Sequence, residues 1–228
     1  MIELRKYQET GIERLRETLR KGFKRPIMAM PTGAGKSIVF GQIIANVIEN
    51  GKRVLWLVHR RNLVYQMQDV LETHFDIHPG IIMAGIPTDT EKPVQLCTIQ
   101  TYRRRIQMDD PQYNQFFIDA DVVLVDEAHR SVSQTYQEVL SLYKDKIIIG
   151  CTATPMRADG RGMEEVYDSI VDIVGVNDLT EQGFLSKARY YAPVEVDLDG
   201  VKMSMGDYQV KALEEKINQK KLELLHQA

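Results

Sequence analysis

Hydrophobic residues along the first two thirds of the chain fall into two kinds of run. Short, uniformly apolar runs predict strands at residues 26–30, 53–58, 80–83, 94–98, 122–125 and 146–151. Longer runs with helical spacing predict helices at residues 5–21, 36–50, 61–74, 99–106 and 132–143. Uniformly apolar strands are typical of a parallel sheet that is covered on both faces. The alternation of the two kinds of run predicts an α/β fold with a mostly parallel sheet and helices on both faces.

The pattern weakens after residue 160. A short helix is predicted near 163–168, a strand near 170–174, a capped helix over 176–183 and an alternating strand over 188–198. Residues 207–227 are polar with a thin apolar stripe, which predicts a terminal helix. We therefore expect one domain over residues 1–200 and a C-terminal helical connector over residues 201–228.

A glycine-containing loop follows the first predicted strand, where residues 30–37 read M-P-T-G-A-G-K-S. A loop that opens a helix can surround a phosphate with backbone N–H groups, and the helix dipole adds positive potential there. Lys36 would reach the β- and γ-phosphates, and the Ser37 hydroxyl would ligate Mg²⁺. Met30 stands where the general phosphate-loop pattern has glycine. The predicted loop contacts are Thr32, Gly33, Ala34, Gly35, Lys36 and Ser37.

A second motif, V-V-L-V-D-E-A-H at residues 122–129, places two carboxylates after a buried strand. Ligands bind at the carboxyl ends of strands in open α/β sheets. Asp126 is therefore the candidate for the Mg²⁺ shell, and Glu127 for orienting and polarising an attacking water. The two motifs together predict a site for ATP and Mg²⁺ at which Lys36 and the acidic pair converge.

The chain resembles the N-terminal RecA-like domain of superfamily 2 DEAD/DEAH-box ATP-dependent helicases, in the repair and phage branch. Residues 4–8, L-R-K-Y-Q, are similar to the L-R-x-Y-Q element of that family. The resemblance implies that Gln8 selects adenine, with Arg5 beside it in the nucleotide site, because an amide matches the donor and acceptor of that base. It also implies a P-loop NTPase fold in which the strand of residues 147–152 lies between the phosphate-loop strand and the D-E-A-H strand.

Further motifs carry the same resemblance. Residues 147–155, I-I-I-G-C-T-A-T-P, resemble the T-A-T-P motif, which implies that Thr152 and Thr154 bond to the D-E-A-H tip at His129 and couple hydrolysis to motion. Residues 54–60 and 97–101 resemble two motifs that contact nucleic acid. Arg103 to Arg105 extend the second motif or form a solvated helix face. The implied nucleic-acid contacts are Arg60, Arg61, Thr98, Gln100, Thr101 and Arg103.

Composition narrows the class of protein. The net charge of −3 argues against a protein that coats nucleic acid by charge alone, although a groove lined by basic residues remains compatible with it. The two cysteines form no disulfide framework, and the N-terminus lacks the apolar stretch of a signal peptide. No apolar run approaches the length needed to cross a bilayer. We expect a cytoplasmic monomer that binds no membrane and has nucleic acid, DNA rather than RNA, as its partner.

These observations predict the ATP-binding first half of a DNA helicase. A duplex DNA translocase motor from a restriction or remodelling enzyme would share every motif. A non-catalytic nucleotide-binding scaffold would have no chemical need for Lys36, Asp126 and Glu127 together. The sequence contains no Q-x-x-G-R-x-x-R segment, so we expect the second RecA-like domain, with its arginine finger, to be missing and the isolated chain to hydrolyse ATP slowly.

Overall fold

The chain forms two compact units in a computed structural model. The first comprises residues 1–155 and 162–185, and the second comprises residues 156–161 and 186–228. The structure describes residues 2–87, 89–106, 117–153 and 163–187, together with the backbone of residues 203–204 and 207–208.

Seven strands form the sheet of the first unit, and every pair of neighbours is parallel. The strands are, in spatial order, β3 (Gly80–Ile82), β4 (Val94–Thr98), β2 (Val54–Val58), β5 (Val122–Asp126), β6 (Ile147–Thr152), β1 (Pro26–Ala29) and β7 (Ser169–Asp172). The T-A-T-P strand β6 thus lies between the phosphate-loop strand β1 and the D-E-A-H strand β5. The predicted parallel, RecA-like sheet is confirmed.

Helices cover both faces of this sheet. On one face lie α1 (Lys6–Arg20), α2 (Lys36–Glu49), α3 (Arg61–Phe75) and α6 (Val176–Glu181), and on the other α4 (Ile99–Ile106) and α5 (Gln134–Ser141). The strands supply residues to both faces in alternation. In β2, Trp56 packs into the first apolar cluster, whereas Leu55 and Leu57 pack into the second. Because side chains of a strand alternate between two faces and both faces are covered, every residue of β2 is buried. This explains its uniformly apolar sequence.

The segment before β7 differs from the sequence prediction. The N–H groups of Val166 and Tyr167 donate to the carbonyl of Met163 at 3.0 and 2.9 Å, which closes one turn. The Asp168 N–H then donates to the carbonyl of Arg25 at 2.9 Å, and this bond draws the chain into β7 beside β1. The helix predicted near 163–168 is therefore wrong, because pairing with the sheet ends it after a single turn.

In the second unit, the described backbone consists of two short antiparallel strands, β8 (Met203–Ser204) and β9 (Asp207–Tyr208). The first two residues of the predicted terminal helix are thus in a strand. Residues 209–227 of that helix, and the strand predicted over 188–198, lie outside the described residues. The expected domain boundary near residue 200 stays a prediction. None of the helices in the described part of the chain combines the length and apolar character needed to span a membrane.

Candidate nucleotide-binding site

The phosphate loop connects β1 to α2 at the edge of the sheet where the parallel strands end, called here the carboxyl edge. Gly33 and Gly35 have φ angles of +86° and +76°, a left-handed conformation that favours glycine. Gly35 is also the N-cap of α2, so no side chain satisfies the N–H groups of the first helical turn there. Those N–H groups and the half-buried Lys36 form a surface suited to a phosphate.

The beginning of α1 holds this loop through one carbonyl. Tyr7 Oη donates to the Ala34 carbonyl at 3.0 Å, and Gln8 Nε2 donates to the same oxygen at 3.2 Å. A Cβ atom at Gly35 would lie 2.6 Å from Gln8 Nε2, so a glycine allows this close approach. The L-R-x-Y-Q element and the phosphate loop therefore form one bonded unit. No role was predicted for Tyr7, although it lies inside the L-R-x-Y-Q element.

Gln8 retains the groups needed to bind a base. Its side chain is 3% exposed, and its Oε1 accepts the Arg5 N–H at 3.0 Å. An amide offers two N–H donors and two acceptor positions, and one of each is used by Ala34 and Arg5. Among the residues that the structure describes, no further partner takes the second donor and the second acceptor position. They match N7 and the N6 amino group of adenine, which is the role that the resemblance implied.

The acidic pair lies at the same edge. Asp126 is level with Cys151 of β6, and Cys151 is level with Met28 of β1. Two strand spacings, roughly 10 Å, therefore separate the end of β5 from the strand that leads into the phosphate loop. Burial raises the pKa of Asp126, and the nearby charge of Lys36 partly offsets this rise. The structure thus brings together the lysine and the carboxylates that the sequence motifs predicted to converge.

Burial is the largest influence on Asp126, and it raises the pKa of this carboxyl above its ordinary value. The N–H of Glu127, 2.9 Å from Asp126 Oδ1, acts in the opposite direction. The charge of Glu127 raises the pKa and that of Lys36 lowers it. A buried carboxylate of this kind gains from a nearby cation, because burial removes the water that would otherwise solvate its charge.

These residues fit a magnesium ion that arrives with a nucleotide. In the described ranges, no three His, Cys, Asp or Glu side chains are grouped to hold a metal ion by themselves. Mg²⁺ in nucleotide sites instead uses one or two protein oxygens together with substrate phosphates. The Ser37 hydroxyl at the start of α2 and the Asp126 carboxylate supply oxygen ligands of that type.

His129 joins the acidic tip to the neighbouring strand. Glu127 has a φ angle of +53°, a conformation uncommon for a residue with a side chain, and the short 3₁₀ helix Ala128–Arg130 follows it. His129 Nδ1 lies 3.3 Å from Glu127 Oε2 and 3.4 Å from Thr152 Oγ1. Thr152 is fully buried at the end of β6. Thr154, the other predicted coupling residue, lies outside the described residues.

The implied nucleic-acid contacts lie at the carboxyl ends of β2 and β4. Arg60 is exposed directly after β2 and is the N-cap of α3. Arg61 Nη2 donates to the Ala84 carbonyl at 3.2 Å. Thr98 Oγ1 donates to Thr101 Oγ1 at 3.0 Å, and this bond ties the end of β4 to the first turn of α4.

Gln100 has a partner that sequence reasoning missed. Its Nε2 lies 2.7 Å from His59 Nδ1, and because an amide nitrogen can only donate, the ring nitrogen accepts. Burial lowers the pKa of His59, and the charges of Arg130 and Arg60 lower it further. His59 precedes Arg60 in the same motif, so its position was visible in the sequence. A groove of about 440 Å³ lies nearby, lined by Ala84, Gln100, Thr101, Arg104 and Arg105.

Arg103 does not line this groove. Its guanidinium forms an ion pair with Glu138 of α5 and so connects α4 to α5. Arg104 is exposed and lines the groove instead. Arg103 therefore lies on a different side of α4 from Arg104 and Arg105, because successive residues of a helix are about 100° apart. That Arg103 contacts nucleic acid stays a prediction, and Glu138 is the partner that the structure gives its guanidinium.

Two residues far along the chain also reach the nucleotide site. The ring of Phe184 lies under the guanidinium of Arg5, with 4.1 Å between Cζ and the ring centroid. Leu185 Cδ2 would lie 2.9 Å from a Cβ atom at Gly33. Sequence reasoning missed both residues, since Phe184 and Leu185 follow a predicted helix stop and match no motif.

Residues 1–157 match the model of the family described as Type III restriction enzyme, res subunit (ResIII). The chain belongs to the ResIII family. Among curated proteins, this ResIII chain is 31% identical over 235 residues to the Saccharomyces cerevisiae protein named "Putative ATP-dependent helicase IRC3", covering 96% of this chain and 33% of that protein. It is 30% identical over 172 residues to "DNA 3'-5' translocase XPB2" of Sulfurisphaera tokodaii, covering 75% of this chain and 34% of that protein. The ResIII chain spans about a third of the length of these relatives.

Solved structures support the fold. The UvsW helicase from bacteriophage T4 superposes with a TM-score of 0.60 at 21% identity, covering 75% of this chain and 60% of that chain. The Type ISP restriction-modification enzyme LlaGI superposes with a TM-score of 0.64 at 18% identity, covering 80% of this chain and 21% of that chain. The family match and the curated relatives confirm the prediction of a superfamily 2 helicase N-terminal RecA-like domain, and the solved structures confirm its fold.

Proposed function

We propose that this chain is the ATP-binding first motor domain of a superfamily 2 DNA helicase, which couples ATP hydrolysis to unwinding of nucleic acid or translocation along it. The observation that carries the proposal is the convergence of Lys36 with Asp126 and Glu127 at one edge of the sheet. The chain spans about a third of the length of its curated relatives. The second RecA-like domain and the activity of the complete motor are therefore also proposed.

Each residue of the nucleotide site has a distinct task in this proposal. The loop N–H groups and Lys36 bind and orient the triphosphate, while Ser37 and Asp126 would hold Mg²⁺. When bound, that ion neutralises charge on the phosphate oxygens. Glu127 orients the attacking water and accepts a hydrogen bond from it. His129 bridges Glu127 and Thr152, so a change at the acidic tip is transmitted to β6.

The groove at the ends of β3 and β4 is the proposed track for nucleic acid. Its two arginines and the Thr101 hydroxyl suit a phosphate backbone, which is contacted without reading sequence. DNA is favoured over RNA because the relative XPB2 is named a DNA translocase. The proposed contacts are Arg60, Arg61, Thr98, Gln100, Thr101 and Arg103, to which the groove adds Arg104.

A duplex DNA translocase is the second candidate. The description of the ResIII family favours it, as does a relative 28% identical over 204 residues that is named "Type I restriction enzyme EcoAI endonuclease subunit". Strand-separation and triplex-displacement assays on a protein that carries this domain with its second RecA-like domain would distinguish the two. A helicase separates strands, whereas a translocase displaces the triplex strand without unwinding the duplex.

The test of the proposed function is the substitution Lys36→Ala. Loss of an ammonium that contacts phosphate should weaken ADP binding by roughly 10- to 150-fold. Thermal unfolding should remain close to that of the original protein, because Lys36 is half-buried at the start of α2 rather than in the core. Isothermal titration calorimetry measures the affinity. Lys52→Ala, at an exposed position after α2, is the matched control. Unchanged ADP affinity in a folded Lys36→Ala protein would contradict the assignment.

A further inference from the structure

Phe184 is a large aromatic residue that stays 41% exposed beside the nucleotide site. Its ring lies under the Arg5 guanidinium at 4.1 Å and meets the ring of Tyr7 edge-on, with 5.8 Å between centroids. Arg5 Nη1 in turn donates to Tyr7 Oη at 3.1 Å, and Tyr7 donates to Ala34 of the phosphate loop. The ring thus contacts Arg5 and Tyr7, which belong to the same L-R-x-Y-Q element as Gln8.

The backbone holds this ring in a fixed place. After α6 the chain folds back, and the N–H groups of Phe184 and Leu185 donate to the Leu179 carbonyl at 2.8 and 3.1 Å. Gly183 allows the reversal with a φ angle of +76°, and the Leu179 side chain is fully buried in the core. Phe184 is therefore anchored to the folded domain despite its exposure.

The geometry matches the recognition of a flat base. The negative face of an aromatic ring attracts a guanidinium, which fixes the orientation of an otherwise mobile arginine side chain. A planar guanidinium has two faces, so a base can stack on the face of Arg5 opposite to Phe184. The N–H of the same arginine bonds to Gln8, whose remaining donor and acceptor match the edge of adenine.

We propose that Phe184 is a positioning residue for the nucleotide base. It holds the Arg5 guanidinium over its ring so that a purine bound at its edge by Gln8 stacks on the opposite face of Arg5. This inference rests on the proposed ATP-binding function and concerns the base alone. Phe184 therefore contributes to the affinity for a nucleotide but not to the affinity for a chain of phosphates.

The test compares ADP with tripolyphosphate, which has phosphates but no base, as ligands in calorimetry. Phe184→Leu keeps apolar volume and removes the ring, and we expect ADP to bind it roughly three- to tenfold more weakly. Tripolyphosphate affinity should be unchanged. Phe184→Tyr keeps the ring and should bind ADP like the original protein. The matched control is Phe23→Leu, because Phe23 is also 41% exposed and precedes β1, away from the carboxyl edge.

A double-substitution cycle tests whether Phe184 acts through Arg5. Arg5→Lys should weaken ADP binding in the original protein but add little in the Phe184→Leu protein. Additive losses would overturn the inference, as would unchanged ADP affinity in Phe184→Leu or an equal loss for ADP and tripolyphosphate. If the original protein bound neither ligand, the proposed function would fail together with the inference. If it bound both and Phe184→Leu changed neither, only the inference would fail.

Discussion

Asp126 is held in a position that favours ligand binding over stability. Burial is the main reason that its pKa lies above the ordinary value, with the charge of Lys36 acting in the opposite direction. The folded protein therefore binds a proton at this carboxyl more readily than the unfolded chain does. At neutral pH the ionised group is an unfavourable contribution to folding, and this contribution fades as the pH falls through the raised pKa.

The substitution Asp126→Asn should consequently stabilise the domain. We expect the unfolding temperature at pH 7 to rise by roughly 2–4 °C while ATP hydrolysis is lost. The gain should shrink as the pH is lowered past the raised pKa, because the original carboxyl then becomes neutral too. Differential scanning calorimetry at several pH values measures this. Asp69→Asn, on the exposed face of α3, should show no such pH-dependent gain. A gain at pH 7 that persisted at acid pH would contradict the explanation.

At the scale of elements, the structure joins α1 to the phosphate loop. Two side chains of α1 donate to one carbonyl of the loop, and Gly35 leaves room for the Gln8 amide. Neither connection involves a neighbouring strand. The phosphate loop is thus held by a helix residue, Gln8, that precedes its partner Ala34 by 26 positions in sequence.

A pair of glycine substitutions tests this connection. Gly35 and Gly51 have left-handed φ angles of +76° and +69°, so alanine at either should cost about 1–2 kcal/mol of stability. Only at Gly35 would the new Cβ meet Gln8, at 2.6 Å, whereas no atom lies within 4 Å at Gly51. We expect Gly35→Ala alone to weaken ADP binding, by roughly tenfold, through displacement of Gln8. Equal ADP affinities in the two variants would show that the Gln8 contact is dispensable.

For the whole molecule, the arrangement of charge matters more than its sum. The chain has a net charge of −3, yet exposed arginines collect around the ends of β2, β3 and β4. Binding of a phosphate backbone should therefore depend on a few positions and on salt. The position of an arginine in the fold decides whether it contributes to binding of the phosphate backbone.

Two charge-matched substitutions test this view. Arg60 follows β2 at the carboxyl edge, whereas Arg20 ends α1 at the opposite edge and pairs with Glu13 at 2.8 Å. Arg60→Ala should make the negative slope of log affinity against log salt concentration less steep, by about 0.7, for a single-stranded oligonucleotide. Arg20→Ala should leave the slope unchanged. Fluorescence anisotropy measures both, and equal slopes would mean that net charge alone governs binding.

Local sequence patterns were enough to predict most of the strands and helices of the sheet domain and the motifs of the proposed nucleotide site. The phosphate loop and the acidic pair are contiguous motifs, and the apolar pattern of β2 reports burial on both faces. The predicted helix at 163–168 failed because its end depends on pairing between β7 and β1, which no local pattern encodes.

Which distant residues come into contact depends on the packing of the elements on the sheet. It placed Phe184 under Arg5, paired Arg103 with Glu138 and gave Gln100 its His59 partner. Each of these contacts joins segments that are separated in sequence and are brought together by packing on the sheet. A local pattern reports the backbone conformation and the buried face of its own segment. The direction and partner of an individual side chain depend on all the elements packed around it.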